Sequence, residues 1–212
     1  MKKLVLAIWL ATGALTVSAR YSDVDGTKLN EAYARLVAAE PTDTAAQTAF
    51  LAEMPADWIE FVCYYDCPSD EQLSPLFDDC RNHLDALKKI GGEKYLTRIV
   101  ELSVGATYRP VDNPSVLLQS HLRDVVADEQ TRDALLRLVD TMMTSDQMLL
   151  WQFYWSNVIA KGPDMTGLYE HMMQKWPGQA EIMKTAHDSF LGHTPYFRHT
   201  SPIGQRQYEG KC

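Results

Sequence analysis

Apolar side chains recur along this chain at three- and four-residue intervals, and no stretch alternates cleanly over the length of a strand. The pattern predicts helices almost throughout. From Thr27 to Glu40, residues Leu29, Ala32, Tyr33, Leu36 and Val37 share one stripe, which stops at Pro41 because proline cannot continue a helix. Thr44 to Met54 follows with Ala46, Ala49 and Phe50. Pro55 then opens a helix that turns Trp58, Phe61, Val62 and Tyr65 inward, with Pro68 beyond its end.

Two starts compete for the next helix: Ser69 with Gln72 at capping-box spacing, and Ser74-Pro75. Its stripe of Leu73, Leu76, Phe77, Cys80, Leu84 and Leu87 ends at Gly91-Gly92, where a left-handed cap is free of Cβ strain. Glu93 to about Thr107 carries Leu96, Ile99, Val100 and Leu102 as far as Arg109-Pro110. Asn113-Pro114 pairs an N-cap with a first-turn proline ahead of Val116, Leu117, His121 and Val125.

A helix from near Asp128 aligns Ala134, Leu135, Leu138, Val139 and Met142. Ser145 or Asp146 can cap the following one, which runs through Met148, Leu149, Trp151, Tyr154 and Trp155 to Ile159 and closes at Gly162-Pro163. Asp164 to Lys175 and Gly178 to Leu191 complete roughly ten short helices, so the expected class is all-α, one compact multi-helix domain.

The first residues break this pattern. Met1-Lys2-Lys3, an uncharged apolar run from Leu4 to about Leu15, and the small residues of Val17-Ser18-Ala19 have the order of a cleavable signal peptide. An apolar run of ~12 residues is shorter than the ~20 a membrane-crossing helix needs. The expected division is a leader at 1–19, a helical domain at 20–192, and a tail at 193–212 without a helical stripe. No cysteine follows the small residues, so a soluble bacterial protein of the periplasm or the exterior is expected. No later segment is apolar enough to span a membrane.

Export changes how charge and cysteine are read. The whole chain carries a formal charge of −8, and removing Lys2 and Lys3 with the leader deepens it to −10. Nucleic acid and anionic lipid are disfavoured as partners, while a basic protein is steered toward such a surface. Cys63, Cys67, Cys80 and Cys212 are an even set in an oxidising compartment, so disulfides are expected to staple the fold. Three connectivities are open. A bridge between Cys63 and Cys67 within one continuous helix fits disulfide geometry poorly, which favours one staple across the helical hairpin to Cys80 and one holding the tail through Cys212. The spacing of the four matches no common zinc site.

Candidate chemistry is sparse. His187-Asp188, with His193 and His199 just beyond, resembles a metal-binding dyad, and His83, His121 and Asp140 are the residues that could complete it, but the supporting spacing is missing. Nucleophile motifs and glycine-rich phosphate loops are absent. The segment Trp151-Gln152-Phe153-Tyr154-Trp155 places four aromatics in five residues, more than one helix face can hold at 100° per residue. That helix is either central and buried all round or exposes rings for a ligand. Trp151, Phe153, Tyr154 and Trp155, extended by Trp176 or Trp58, are therefore the candidate binding residues.

These features favour an exported helical protein that acts by binding a protein partner, an immunity or inhibitor protein against an exported toxin being the most concrete form. No cofactor and no metal site is expected. A metal-dependent hydrolase using His187 and Asp188, and a small-molecule binder using the aromatic helix, are the alternatives.

Overall fold

The structure, a computed structural model, describes residues 26–65, 76–107, 113–156 and 163–191. Among those residues the chain forms ten α-helices, one 3-10 turn and no strand, as the apolar periodicity requires. The helices are α1 (Thr27–Ala38), α2 (Thr44–Glu53), α3 (Trp58–Tyr65), α4 (Cys80–Ile90), α5 (Gly92–Ser103), α6 (Asn113–Ala127), α7 (Glu129–Asp140), α8 (Thr144–Trp155), α9 (Met165–Lys175) and α10 (Pro177–Leu191). The 3-10 turn, Phe77–Asp79, leads into α4. The expected leader at 1–19 and tail at 193–212, with Cys67 and Cys212, lie outside the described residues.

Aspartates fix several of the helix starts. Asp43 Oδ1 accepts the Ala45 and Ala46 N–H groups at 2.9 and 3.0 Å. Asp128 receives the N–H of Gln130, and Asp164 that of Gly167. Each satisfies donors that the first helical turn leaves open. At α3 this overrides the expectation based on Pro55: Asp57 Oδ1 accepts the Glu60 N–H at 2.9 Å and Glu60 Oε2 reaches back to the Ala56 N–H. The helix therefore starts at Trp58, three residues after the proline. Helix α8 departs in the other direction, starting at Thr144 without a side-chain cap, ahead of both expected caps. At the corner between α4 and α5, Gly91 and Gly92 take φ values of 68° and 58°, where glycine alone escapes the Cβ penalty.

Buried side chains form one continuous cluster from Leu29 in α1 to Ala186 in α10. Helix α5 touches α3, α4, α6, α7 and α8 and lies at the centre of this arrangement. The largest interface is that of α8 with α10, which also carries α9. On α8, Trp151, Phe153, Tyr154 and Trp155 are all 2% exposed or less, so the aromatic run is spent on the core. Truncating such a ring to alanine typically costs ~3–5 kcal/mol.

The last turn of α8 is held by α6. Gln119 Nε2 donates to Phe153 O (2.6 Å), Ser156 O (2.9 Å) and Ser156 Oγ (2.9 Å). One turn along α6, Arg123 donates to Tyr154 O and Ser156 O. These side chains satisfy carbonyls that a helix end leaves without intrahelical donors.

Cys63 is half-buried on α3 and Cys80 is buried at the start of α4. The expected hairpin staple is not formed between these two, which are not bonded to each other.

Candidate functional site

The sequence-predicted site residues do not converge. His187 Nδ1 lies 3.1 Å from Asp188 Oδ1, while Asp188 Oδ2 is taken by Lys184 Nζ at 2.6 Å. The Lys184 ammonium, and then His187, hold the Asp188 carboxyl below its usual pKa range. The His187 ring meets Trp155 edge-on, 4.8 Å between centroids. The dyad is thus closed within its own helix. His83, His121 and Asp140 lie elsewhere, and among the described residues no group of three His, Cys, Asp or Glu side chains could hold a metal ion.

His83 and His121 instead form two Tyr-His pairs. Tyr65 Oη is 2.9 Å from His83 Nδ1, in a buried pocket lined by Tyr33 and Phe50. Burial pushes the His83 pKa down to about 4, against a weaker upward pull from Asp79. Its Nε2 is buried without a hydrogen-bond partner. The second pair joins Tyr95 Oη to His121 Nδ1 at 3.0 Å, with Asp85 3.6 Å from the other ring nitrogen. Burial lowers the His121 pKa as well. Burial favours the neutral form of both rings, each of which is hydrogen-bonded to a tyrosine through Nδ1.

Trp176 is the one predicted aromatic that reaches the surface beside polar groups. Lys175 Nζ stands 5.5 Å from its ring centroid. The same ammonium binds Asp133 Oδ2 at 2.6 Å, and His171 Nε2 binds Asp133 Oδ1 at 2.7 Å. Lys175 first, and then His171, hold the Asp133 carboxyl below its usual pKa range. Sequence reading missed this cluster because Asp133 lies 38 residues before His171; the only local signal was the i, i+4 spacing of His171 and Lys175.

A different set of residues builds a concavity. Thr97, Val100, Glu101 and Val104, one i, i+3, i+4, i+7 stripe along α5, line an open groove of about 380 Å³. Ala56 and Asp57 from the turn before α3, with Leu138, Met142 and Asp146 from the corner between α7 and α8, complete its lining. The lining is mostly apolar, with three carboxylates among it. Glu101 pairs with Arg98 at 3.5 Å. The Arg98 guanidinium also donates to Pro55 O at 2.5 Å and Leu51 O at 3.2 Å, which ties it to the end of α2. Asp57 and Asp146 have no cationic partner among the described residues.

No family model, curated protein or solved structure matches this chain.

Proposed function

We propose that this chain is an exported protein that works by binding a basic protein partner, in its most concrete form as an immunity or inhibitor protein against an exported toxin. One observation carries the proposal: a mostly apolar groove lined also by Asp57 and Asp146, two carboxylates with no cationic partner among the described residues. A volume of about 380 Å³ is at the lower end of the ~300–1,000 Å³ typical of ligand sites. A side-chain anchor from a larger partner fits it better than a bulky free ligand. The charge of −10 left after loss of the leader supports the same choice, since a net negative surface accelerates encounter with a cationic protein.

The test is a periplasmic pull-down with the wild-type chain and with Asp57→Lys/Asp146→Lys, run at low and high salt, alongside protection assays against the products of neighbouring toxin genes. A basic protein enriched by the wild type and lost on charge reversal supports the proposal. Background recovery only, with no protection, would falsify it.

A further inference from the structure

We propose that the groove holds a lysine side chain of the basic partner, an inference that rests on the protein-binding function above and names its central contact. Val100, Val104, Leu138 and Met142 supply an apolar lining, and Asp57 and Asp146 supply negative charge at the same concavity. A lysine has the matching division, a four-carbon stem that gains from apolar cover and a compact ammonium that stays at a charged rim. An open groove of about 380 Å³ has room for one long side chain with its near neighbours.

The carboxylate geometry favours lysine over arginine. Asp57 Oδ1 is already committed to the Glu60 N–H at 2.9 Å, and Asp146 Oδ1 faces Ser145 Oγ at 3.4 Å. Asp57 Oδ2 is thus the freer acceptor of its pair, and a single free oxygen suits the one-donor bonds of an ammonium better than the paired donors of a guanidinium. Arg98, which borders the same region, is held by Glu101 and by the carbonyls of Leu51 and Pro55. Occupancy by lysine would bring a full cation to carboxylates that, among the described residues, have only helix N-termini and neutral donors beside them.

The experiment follows the Met142 methyl signal by NMR as Nα-acetyl-lysine methylamide is added to the purified protein, with the norleucine, arginine and Nε-acetyl-lysine analogues as comparators. The expected result is a saturable shift with lysine, at least ten-fold weaker binding of each comparator, and at least ten-fold weaker lysine binding to Asp57→Asn/Asp146→Asn. Asparagine keeps the cap at position 57, and removing the Asp146 charge from the first turn of α8 should cost no more than ~1 kcal/mol, so the variant should stay folded with a slightly lowered melting temperature. Equal binding of norleucine, no shift with lysine, or an unaffected double variant overturns the proposal. If a captured protein partner binds the double variant with unchanged affinity, the lysine contact falls and partner binding stands. If lysine fills the groove and no partner is ever captured, partner binding falls alone.

Discussion

The cap on α8 permits a quantitative test, because two side chains share one acceptor. Ser156 O receives both Gln119 Nε2 and Arg123 Nη2 at 2.9 Å, and Ser156 is buried. Gln119→Met keeps the shape and removes the donors. Phe153 O still holds the Ser156 N–H and hydroxyl, and Ser156 O still holds Arg123, so no carbonyl is orphaned. The expected loss is that of about two neutral hydrogen bonds, ~1–2 kcal/mol. Arg123→Met leaves Gln119 in place on Ser156 O and strips the donors from Tyr154 O, with a similar expected loss, ~1–2 kcal/mol, since Arg123 is partly exposed to water.

The double variant is different in kind. Among the described residues it leaves Ser156 O with no donor, which adds a desolvation cost of ~1–3 kcal/mol absent from either single change. Urea unfolding followed by helical circular dichroism should therefore show a double-mutant interaction of at least ~1 kcal/mol, in the direction of greater destabilisation. Additivity of the two losses to within ~0.5 kcal/mol would mean that the shared acceptor is not the basis of the cap.

Three further outcomes follow from other sites. The folded-state pKa of His83, about 4, lies below the ordinary value of ~6.5, so the neutral ring is favoured by folding and its contribution is complete above pH ~6.5. Stability should fall as pH drops from ~6.5 toward 4, by on the order of 1 kcal/mol per unit, and His83→Phe should flatten that slope in urea midpoints measured across the window. Gly91→Ala should cost ~1–3 kcal/mol in thermal or urea unfolding, because φ 68° and ψ −165° lie in a region essentially reserved for glycine while the nearest atom to an added Cβ, Lys88 O, is 3.7 Å away; the penalty is torsional, not a clash with a neighbour. Asp133→Asn, which weakens the ties to His171 and Lys175 at a partly exposed site, should change stability by less than ~1 kcal/mol; a larger loss would show that these ties carry more of the attachment of α9 than exposed ion pairs normally do.

Most helices were legible because each carries its own apolar stripe and a local boundary signal, a stop at Gly91 and a start at Asp128. The start of α3 was misread because Pro55 is a strong local signal, while Asp57 gained its role only through the Glu60 N–H that it caps. For the aromatic helix, sequence posed a choice between burial and display that packing against α10 resolves toward burial. The groove was invisible for a different reason. Taken singly, Val100, Leu138 and Met142 read as core and Asp57, Glu101 and Asp146 as solvated face, and only the meeting of α5 with two distant turns puts these classes side by side. The Asp133 cluster was hidden in the same way, by pairing across sequence separations of 38 and 42 residues.

The sealed position of Trp151 and Trp155 determines what an optical probe of this protein will report. Trp58 is also buried, which leaves Trp176 as the one partly open indole among the described residues, and it does not line the groove. Intrinsic emission should therefore be blue-shifted, hard to quench with iodide, and dominated by the integrity of the α8 and α10 pair. A flat fluorescence titration would accordingly be no sign of an empty groove, and screens for an occupant need a label near Met142.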